Sequence, residues 1–145
     1  MSRIYADGLA TGLASFETDV PSWEEWDRRH RDAPRLVAEL DGAVVGWLAV
    51  SSVSTRDCYR GVVEQSLYVD AAARGQGVGR ALLDRLAAEA PTHGIWTIQT
   101  SIIASNEASL ALHRAAGFRV VGRRERIAQR DGVWHDTLLL ELRLP

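Results

Sequence analysis

Apolar positions along this 145-residue chain recur with two spacings, one helical and one alternating, and the switches between them mark its elements. Residues 2–10 read as a short helix remnant, and Leu13 to Thr18 as a loop carrying Phe16, Glu17 and Thr18. Pro21-Ser22 opens a second helix, because Ser22 can cap it and Glu25, three positions on, completes a capping box. This helix carries Trp23 and Trp26, runs to about Arg31 and ends at Asp32-Ala33-Pro34. Leu36 to Leu40 reads as a strand, Asp41-Gly42 as a hairpin turn and Ala43 to Val50 as the returning strand. A polar loop from Ser51 to Arg60 precedes a strand over Val62 to Val69. In a helix over 78–90, Val78, Leu82, Leu86 and Ala90 form one apolar stripe. Ile95 to Thr100 is strand-like. Asn106 caps a further helix with Ala108, Ala111, Leu112 and Ala115 as its apolar stripe, and Gly117 closes it. Phe118 to about Gln129 and Val133 to Leu144 are strands joined by Arg130-Asp131-Gly132. The order α, α, β, β, β, α, β, α, β, β has hairpins at both ends and β-α-β in the middle. It predicts an α/β fold with a mixed sheet and helices on both faces.

Composition narrows the function classes. The length suits one domain, 1–145, with a sizeable core, and no repeat, low-complexity tract or linker interrupts it. A net charge of -2 gives no basic field for nucleic acid. No apolar run reaches the roughly 18–20 residues of a membrane span. The N-terminus, with its early Asp7, does not read as a signal peptide. A single cysteine, Cys58, excludes an internal disulfide and fits a reducing, cytoplasmic setting. The four histidines and the cysteine lack zinc-type spacing, so no metal is expected.

The chemistry centres on Val69-Asp70-Ala71-Ala72-Ala73-Arg74-Gly75-Gln76-Gly77-Val78-Gly79-Arg80, where a strand hands over to a helix. Glycines let backbone approach a ligand closely, and a helix N-terminus offers free N–H groups and a positive dipole, a combination that suits a pyrophosphate. A Walker A pattern is absent, and G-x-G-x-G mid-chain departs from the dinucleotide fingerprint. A glycine-rich turn that merely caps the helix is the plain alternative. Arg74-x-x-Gly77-x-Gly79, followed by Arg80, resembles the acyl-CoA pyrophosphate loop of the GNAT superfamily of N-acetyltransferases. Asn106-Glu107-Ala108-Ser109-Leu110-Ala111-Leu112-His113-Arg114-Ala115-Ala116-Gly117-Phe118 is similar to that family's N-x-x-[SA]-x-x-L-[YH]-x-x-x-G-[FY] signature. Phe16-Glu17-Thr18, Arg56-Asp57-Cys58-Tyr59, Val63-Glu64-Gln65-Ser66-Leu67-Tyr68-Val69 and Gly132-Val133-Trp134-His135-Asp136 resemble the phosphinothricin N-acetyltransferase branch. That branch acetylates the α-amine of small amino-acid analogues such as phosphinothricin, methionine sulfoximine and methionine sulfone. The resemblance implies a mostly antiparallel sheet, acetyl-CoA as cosubstrate and, in many relatives, a homodimer. It also implies a departure, because the family usually opens with a strand and most of a helix ahead of the segment matching Ile4-Tyr5. The first edge strand is therefore expected to be missing, leaving the Leu36–Leu40 strand exposed.

A protonated amine is no nucleophile, so acetylation needs a base. Glu64 is the candidate: a lone charge in an apolar strand is costly unless used or paired, and the resemblance points to the same position. A strand carboxylate paired with an arginine is the alternative. Backbone N–H groups from Leu67 to Val69 can stabilise the oxyanion. The resemblance makes Leu67, Tyr68 and Val69 contacts of the pantetheine arm, and Arg74, Gly75, Gln76, Gly77, Val78, Gly79 and Arg80 contacts of the pyrophosphate. Asn106 is a further cofactor contact, a plain helix cap, or both. His113 is a candidate donor of the thiolate's proton, or a packing residue. His135 is an alternative base, a pocket wall or an ordinary strand residue. For the acceptor, Arg56 and Tyr59 precede the Glu64 strand, and an arginine fork suits a carboxylate. Phe16 and Trp134 are candidate pocket walls. An acyl-cysteine route through Cys58 lacks an activating histidine, which favours direct transfer. The rival functions are a non-catalytic acyl-CoA-binding regulatory module, a peptide or protein N-terminal acetyltransferase and a nucleotide-binding protein.

Overall fold

The two Asp-Gly turns and the capped helix starts fix the frame of a computed structural model that describes residues 1–145. Its helices are α1 (Ser2–Ala10), α2 (Trp23–Arg29), α3 (Val78–Glu89) and α4 (Glu107–Ala115). Its strands are β1 (Arg35–Leu40), β2 (Ala43–Ser52), β3 (Val62–Val69), β4 (Thr97–Ile103), β5 (Arg119–Arg130) and β6 (Val133–Arg143). Short 3₁₀ turns at Asp57–Tyr59, Ala71–Ala73 and Ala90–His93 join them. One sheet has the order β1-β2-β3-β4-β6-β5. Every neighbouring pair is antiparallel except β3 and β4, which run parallel. A parallel pair needs a crossover, and α3 supplies it.

Strand alternation divides the core between the sheet's two faces. Leu48 and Val50 of β2 turn to one face, where they join Val63, Leu82, Leu83, Leu86, Ile98 and Leu140 beneath α3 and α4. Their neighbours Trp47 and Ala49 turn to the other, with Ile4, Tyr5 and Leu9 of α1 and Trp26 of α2. The mixed, mostly antiparallel sheet with helices on both faces is thus as expected. Strand β1 is a sheet edge, with Val37 and Leu40 exposed.

Three details differ from the sequence expectations. Helix α2 stops at Arg29, because His30 takes an extended backbone and Arg35 donates to the carbonyls of Asp27, His30 and Arg31. Strand β4 begins at Thr97: Ile95 is a core plug whose N–H returns to Ala90, and Trp96 bonds to Gly61. Helix α4 buries Leu110 and His113 rather than the alanine stripe; Ala108, Ala111 and Ala115 are exposed and Leu112 is half-buried. Alanine removes little apolar surface from water, so bulkier side chains decide which face packs.

Leu86 is fully buried between α3 and the sheet. Leu86→Ala should lower unfolding stability by about 2–5 kcal/mol in urea titration. Val37→Ala, on the exposed face of β1, should stay within about 0.5 kcal/mol of the parent.

Candidate active site

Strand β3 pairs with β2 along nearly its whole length, from Val63↔Ser52 to Val69↔Gly46. Its pairing with β4 stops after three rungs, Val62↔Thr97, Val63↔Ile98 and Glu64↔Gln99. Strand β4 continues to Ile103 against β6. From Gln65 onward β3 and β4 therefore diverge, and the β4-side backbone groups of β3 have no strand partner. Backbone N–H and C=O groups require partners, so this open edge is prepared to bind something with amides or carbonyls.

A cleft of about 530 Å³ runs from the fork to the start of α3. Leu67, Tyr68 and Val69 line one side of it, and Arg74, Gly75, Gly77, Val78, Gly79 and Arg80 line the end. Gly75 and Gly77 have φ of 78° and 82°, and nothing stands within 4 Å of the side a Cβ would occupy. Their left-handed backbone turns the chain sharply into the helix. Gly79 is required for a different reason: a Cβ there would lie 2.9 Å from Leu112, so its absence lets α3 meet α4. The N–H groups of Val78, Gly79 and Arg80 find no acceptor within the chain. Free donors, a helix N-terminus and two flanking arginines suit a diphosphate. Gln76 is the exception among the expected contacts. It lies outside the cleft lining, and its amide folds back to the Ala72 carbonyl at 3.4 Å. Asn106 does two jobs at the cleft wall: it accepts from Ser109 N–H as a cap and donates to the Leu13 carbonyl, both at 3.2 Å.

A second cavity of about 370 Å³ adjoins the first and holds Glu64. Ala14, Leu67 and Tyr68 line both, so the two spaces meet at the fork. None of the chain's ion pairs involves Glu64. A second carboxylate, Glu17, which was not singled out as a site residue from the sequence, faces the same cavity. It accepts from the Tyr5 hydroxyl and, at 2.8 Å, from Arg29. Burial, reinforced by the bond to Glu17, pushes the Tyr5 phenol well above its ordinary range. Burial likewise pushes Tyr68 up to about 12. His30, stacked on Trp26, donates from Nδ1 to the Trp26 carbonyl at 2.7 Å, and burial lowers its pKa. The α2 spacing Trp26, Arg29, His30 (i, i+3, i+4) is the sequence signal that was there to be used. Phe16 lines the cavity as expected, and its loop is clamped by Arg130, which donates to the carbonyls of Gly12 at 2.8 Å and Ser15 at 3.1 Å.

Other expected site residues lie apart. Arg56 and Tyr59 sit on an exposed turn outside the cavity lining, the guanidinium 5.6 Å from the ring it covers. Trp134 is exposed beneath Arg126, and His135 touches Phe16 from outside the lining, with ring centroids 5.4 Å apart. His113 lines neither cavity. It is 3% exposed, with Nδ1 donating to the Ser109 carbonyl at 2.7 Å and Nε2 facing the Gln65 amide at 2.6 Å. Both ring nitrogens are already committed, which removes it from direct proton donation.

Residues 6–118 match the Acetyltransferase (GNAT) family. The chain belongs to that family. Among GNAT relatives, it is 37% identical over 150 residues to a phosphinothricin N-acetyltransferase of Alcaligenes faecalis, covering 97% of this chain and 75% of that one. It is 33% identical over 147 residues to an L-methionine sulfoximine/L-methionine sulfone acetyltransferase of Pseudomonas aeruginosa, covering 97% and 86%. A crystal structure of a ribosomal-protein-alanine N-acetyltransferase from Brucella melitensis superposes with a TM-score of 0.89 at 36% identity, covering 98% and 91%. A GNAT phosphinothricin acetyltransferase from Sinorhizobium meliloti, solved in complex with AcCoA, gives 0.87 at 32%, covering 99% and 80%.

Burial lowers the pKa of both His30 and His113 below the ordinary 6.5. Below pH 6.5 the unfolded chain therefore binds more protons at these positions than the folded one, and stability falls with acidification. The urea midpoint should drop between pH 7.5 and pH 5.5, and less steeply in His113→Phe. Equal slopes in both proteins would show that His113 does not contribute.

Proposed function

We propose that this GNAT acetyltransferase moves an acetyl group from acetyl-CoA to the primary amine of a small amino-acid-like acceptor. The acceptor is of the phosphinothricin, methionine sulfoximine or methionine sulfone type, and Glu64 is the general base. The observation that carries this reading is the position of Glu64. It is an unpaired carboxylate on the last shared rung of β3 and β4, facing a cavity that opens at the fork onto the cleft lined by the glycine turn. The names of the Alcaligenes and Pseudomonas relatives support the acceptor class.

Acetyl-CoA supplies the activated acyl carbon and carries the leaving sulfur. The Gly75-to-Arg80 turn holds the carrier's diphosphate through its free N–H groups and the helix dipole. The open edge of β3 at Leu67 to Val69 bonds the carrier's amides and presents N–H donors to the acyl oxygen. Glu17 and Glu64 outnumber the one guanidinium, Arg29, in the acceptor cavity, which draws in an ammonium. A lysine-like ammonium has a pKa of ~10.4, so removing its proton at pH 7 costs roughly 4–5 kcal/mol, and an α-amine needs less. Glu64 takes that proton directly or through one water. Attack is direct, in a ternary complex: the C–N bond forms, the C–S bond breaks, and the proton that the nitrogen then sheds neutralises the departing CoA thiolate. Cys58, the lone thiol, is exposed and lies in neither cavity. We place the protein in the cytoplasm; no helix is long and apolar enough to cross a membrane.

The name of the Brucella relative favours a second reading, acetylation of a protein N-terminus. Thiol release with methionine sulfone, methionine sulfoximine, phosphinothricin and alanine-starting peptides separates the two, and the free amino-acid analogues should be the faster acceptors. Glu64→Gln should bind acetyl-CoA within about threefold of the parent and lose about 10²–10⁴-fold in kcat. Unchanged turnover would remove Glu64 from the mechanism.

A further inference from the structure

We infer that the hydrogen bond between Gln65 and His113 is a brace that keeps β3 and β4 parted at the reacting end of the cleft, so that His113 is a positioning residue acting through Gln65. This rests on the acetyltransferase reading, in which the fork is where the acyl group lies.

Gln65 is the first residue of β3 beyond the last β3–β4 rung, Glu64↔Gln99. Its side chain is long and polar, yet the residue is only 4% exposed. The Ser109 carbonyl lies 2.7 Å from His113 Nδ1 and can only accept, so the proton sits on Nδ1. A neutral imidazole has one N–H, and burial keeps this ring neutral. Nε2 is therefore the acceptor, and the Gln65 amide nitrogen, 2.6 Å away, must be the donor. This fixes which way the amide points. The ring itself is held edge-to-face against the buried Phe118, with centroids 5.2 Å apart.

The arrangement leaves the Gln65 Oε1 atom buried without a partner. An unmet buried carbonyl costs stability, whereas two apolar side chains of similar shape would fill the same space without that cost. A local cost with no return in stability is what functional sites carry. The placement suggests the return. Gln65 lines the acceptor cavity, Ser109 lines the cofactor cleft, and His113 joins them behind the fork. Strand β3 past Glu64 has lost β4 as a neighbour, and the brace ties it instead to α4. The N–H groups of Leu67 to Val69 are then held at a fixed distance from Glu64.

The test uses the full chain with Gln65→Leu, His113→Phe, the double variant, and His113→Gln, whose amide oxygen can stand in for Nε2. Kinetics, acetyl-CoA affinity by calorimetry and thermal midpoint are measured at pH 7.5. Each apolar single variant should lose about 30- to 100-fold in kcat, the scale expected for misplacement by a fraction of an ångström to 1 Å. Acetyl-CoA Kd should stay within about threefold and the midpoint within a few degrees. The double variant should be no worse than either single, because one shared bond is removed once. His113→Gln should recover about tenfold over His113→Phe. Parental kcat in Gln65→Leu, losses that multiply in the double variant, or a kcat loss matched by equal loss of affinity and midpoint would each overturn the brace. If His113→Phe does not fold, Gln65→Leu decides by the same criteria. A parent protein that does not bind acetyl-CoA ends the acetyltransferase reading and the brace together. A parent that turns over no faster than Gln65→Leu ends the brace alone.

Discussion

Strand β3 has two hydrogen-bonding edges and spends them differently. One is paired with β2 almost end to end, which anchors the strand in the sheet. The other is paired with β4 for three rungs and then left open. Leaving one edge of an interior strand open is an unusual expense, because β3 has a neighbour on that side and stops pairing with it. It is tolerable here because the β2 edge holds the strand and because β4 has β6 on its far side. The parallel β3–β4 pair is what allows the opening. Its crossover, α3, starts at the glycine turn, so the end of β3 and the N-terminus of α3 face one cleft.

Around this opening, long-range ties fix the parts that neither the strand nor the helix controls. Arg130 reaches across from the end of β5 to hold the Gly12–Ser15 segment over the cavities. Arg3 bonds Asp70 at 2.6 Å and so fastens α1 to the chain leaving β3, while Asp70 also accepts from Ala72 N–H. Tyr5 and Arg29 converge on Glu17 from two helices. Half of the lining of the cavity that holds Glu64 therefore comes from the N-terminal segment, and most of the cleft at the glycine turn from the centre of the chain. Their common wall is Ala14, Leu67 and Tyr68.

What was legible in the sequence obeys local rules. Ser22 and Asn106 cap their helices through their own backbone neighbours, and the Asp-Gly pairs make the two hairpins. The glycine turn announced a cleft because its constraint lies within a few residues. Gly79 has a second constraint that no local rule shows, since a Cβ there would meet Leu112 on another helix. His113 could not be placed, because its partner Gln65 is 48 residues away and alanines mimicked an apolar face on α4. The Glu17 network and the Arg130 clamp were hidden likewise, the latter joining residues 118 apart. Arg56, read as a carboxylate fork, lies on an exposed turn whose geometry no spacing rule specifies.

The central claim is that the open edge of β3 and the glycine turn together grip one thioester carrier. Amide hydrogen exchange, followed residue by residue with and without saturating acetyl-CoA, tests it most directly. The account predicts new protection concentrated at Leu67 to Val69 and at Gly75 to Arg80, with β1 and β5 unchanged. Saturable binding that leaves both of those stretches exchanging as before, or that protects only one of them, would contradict it.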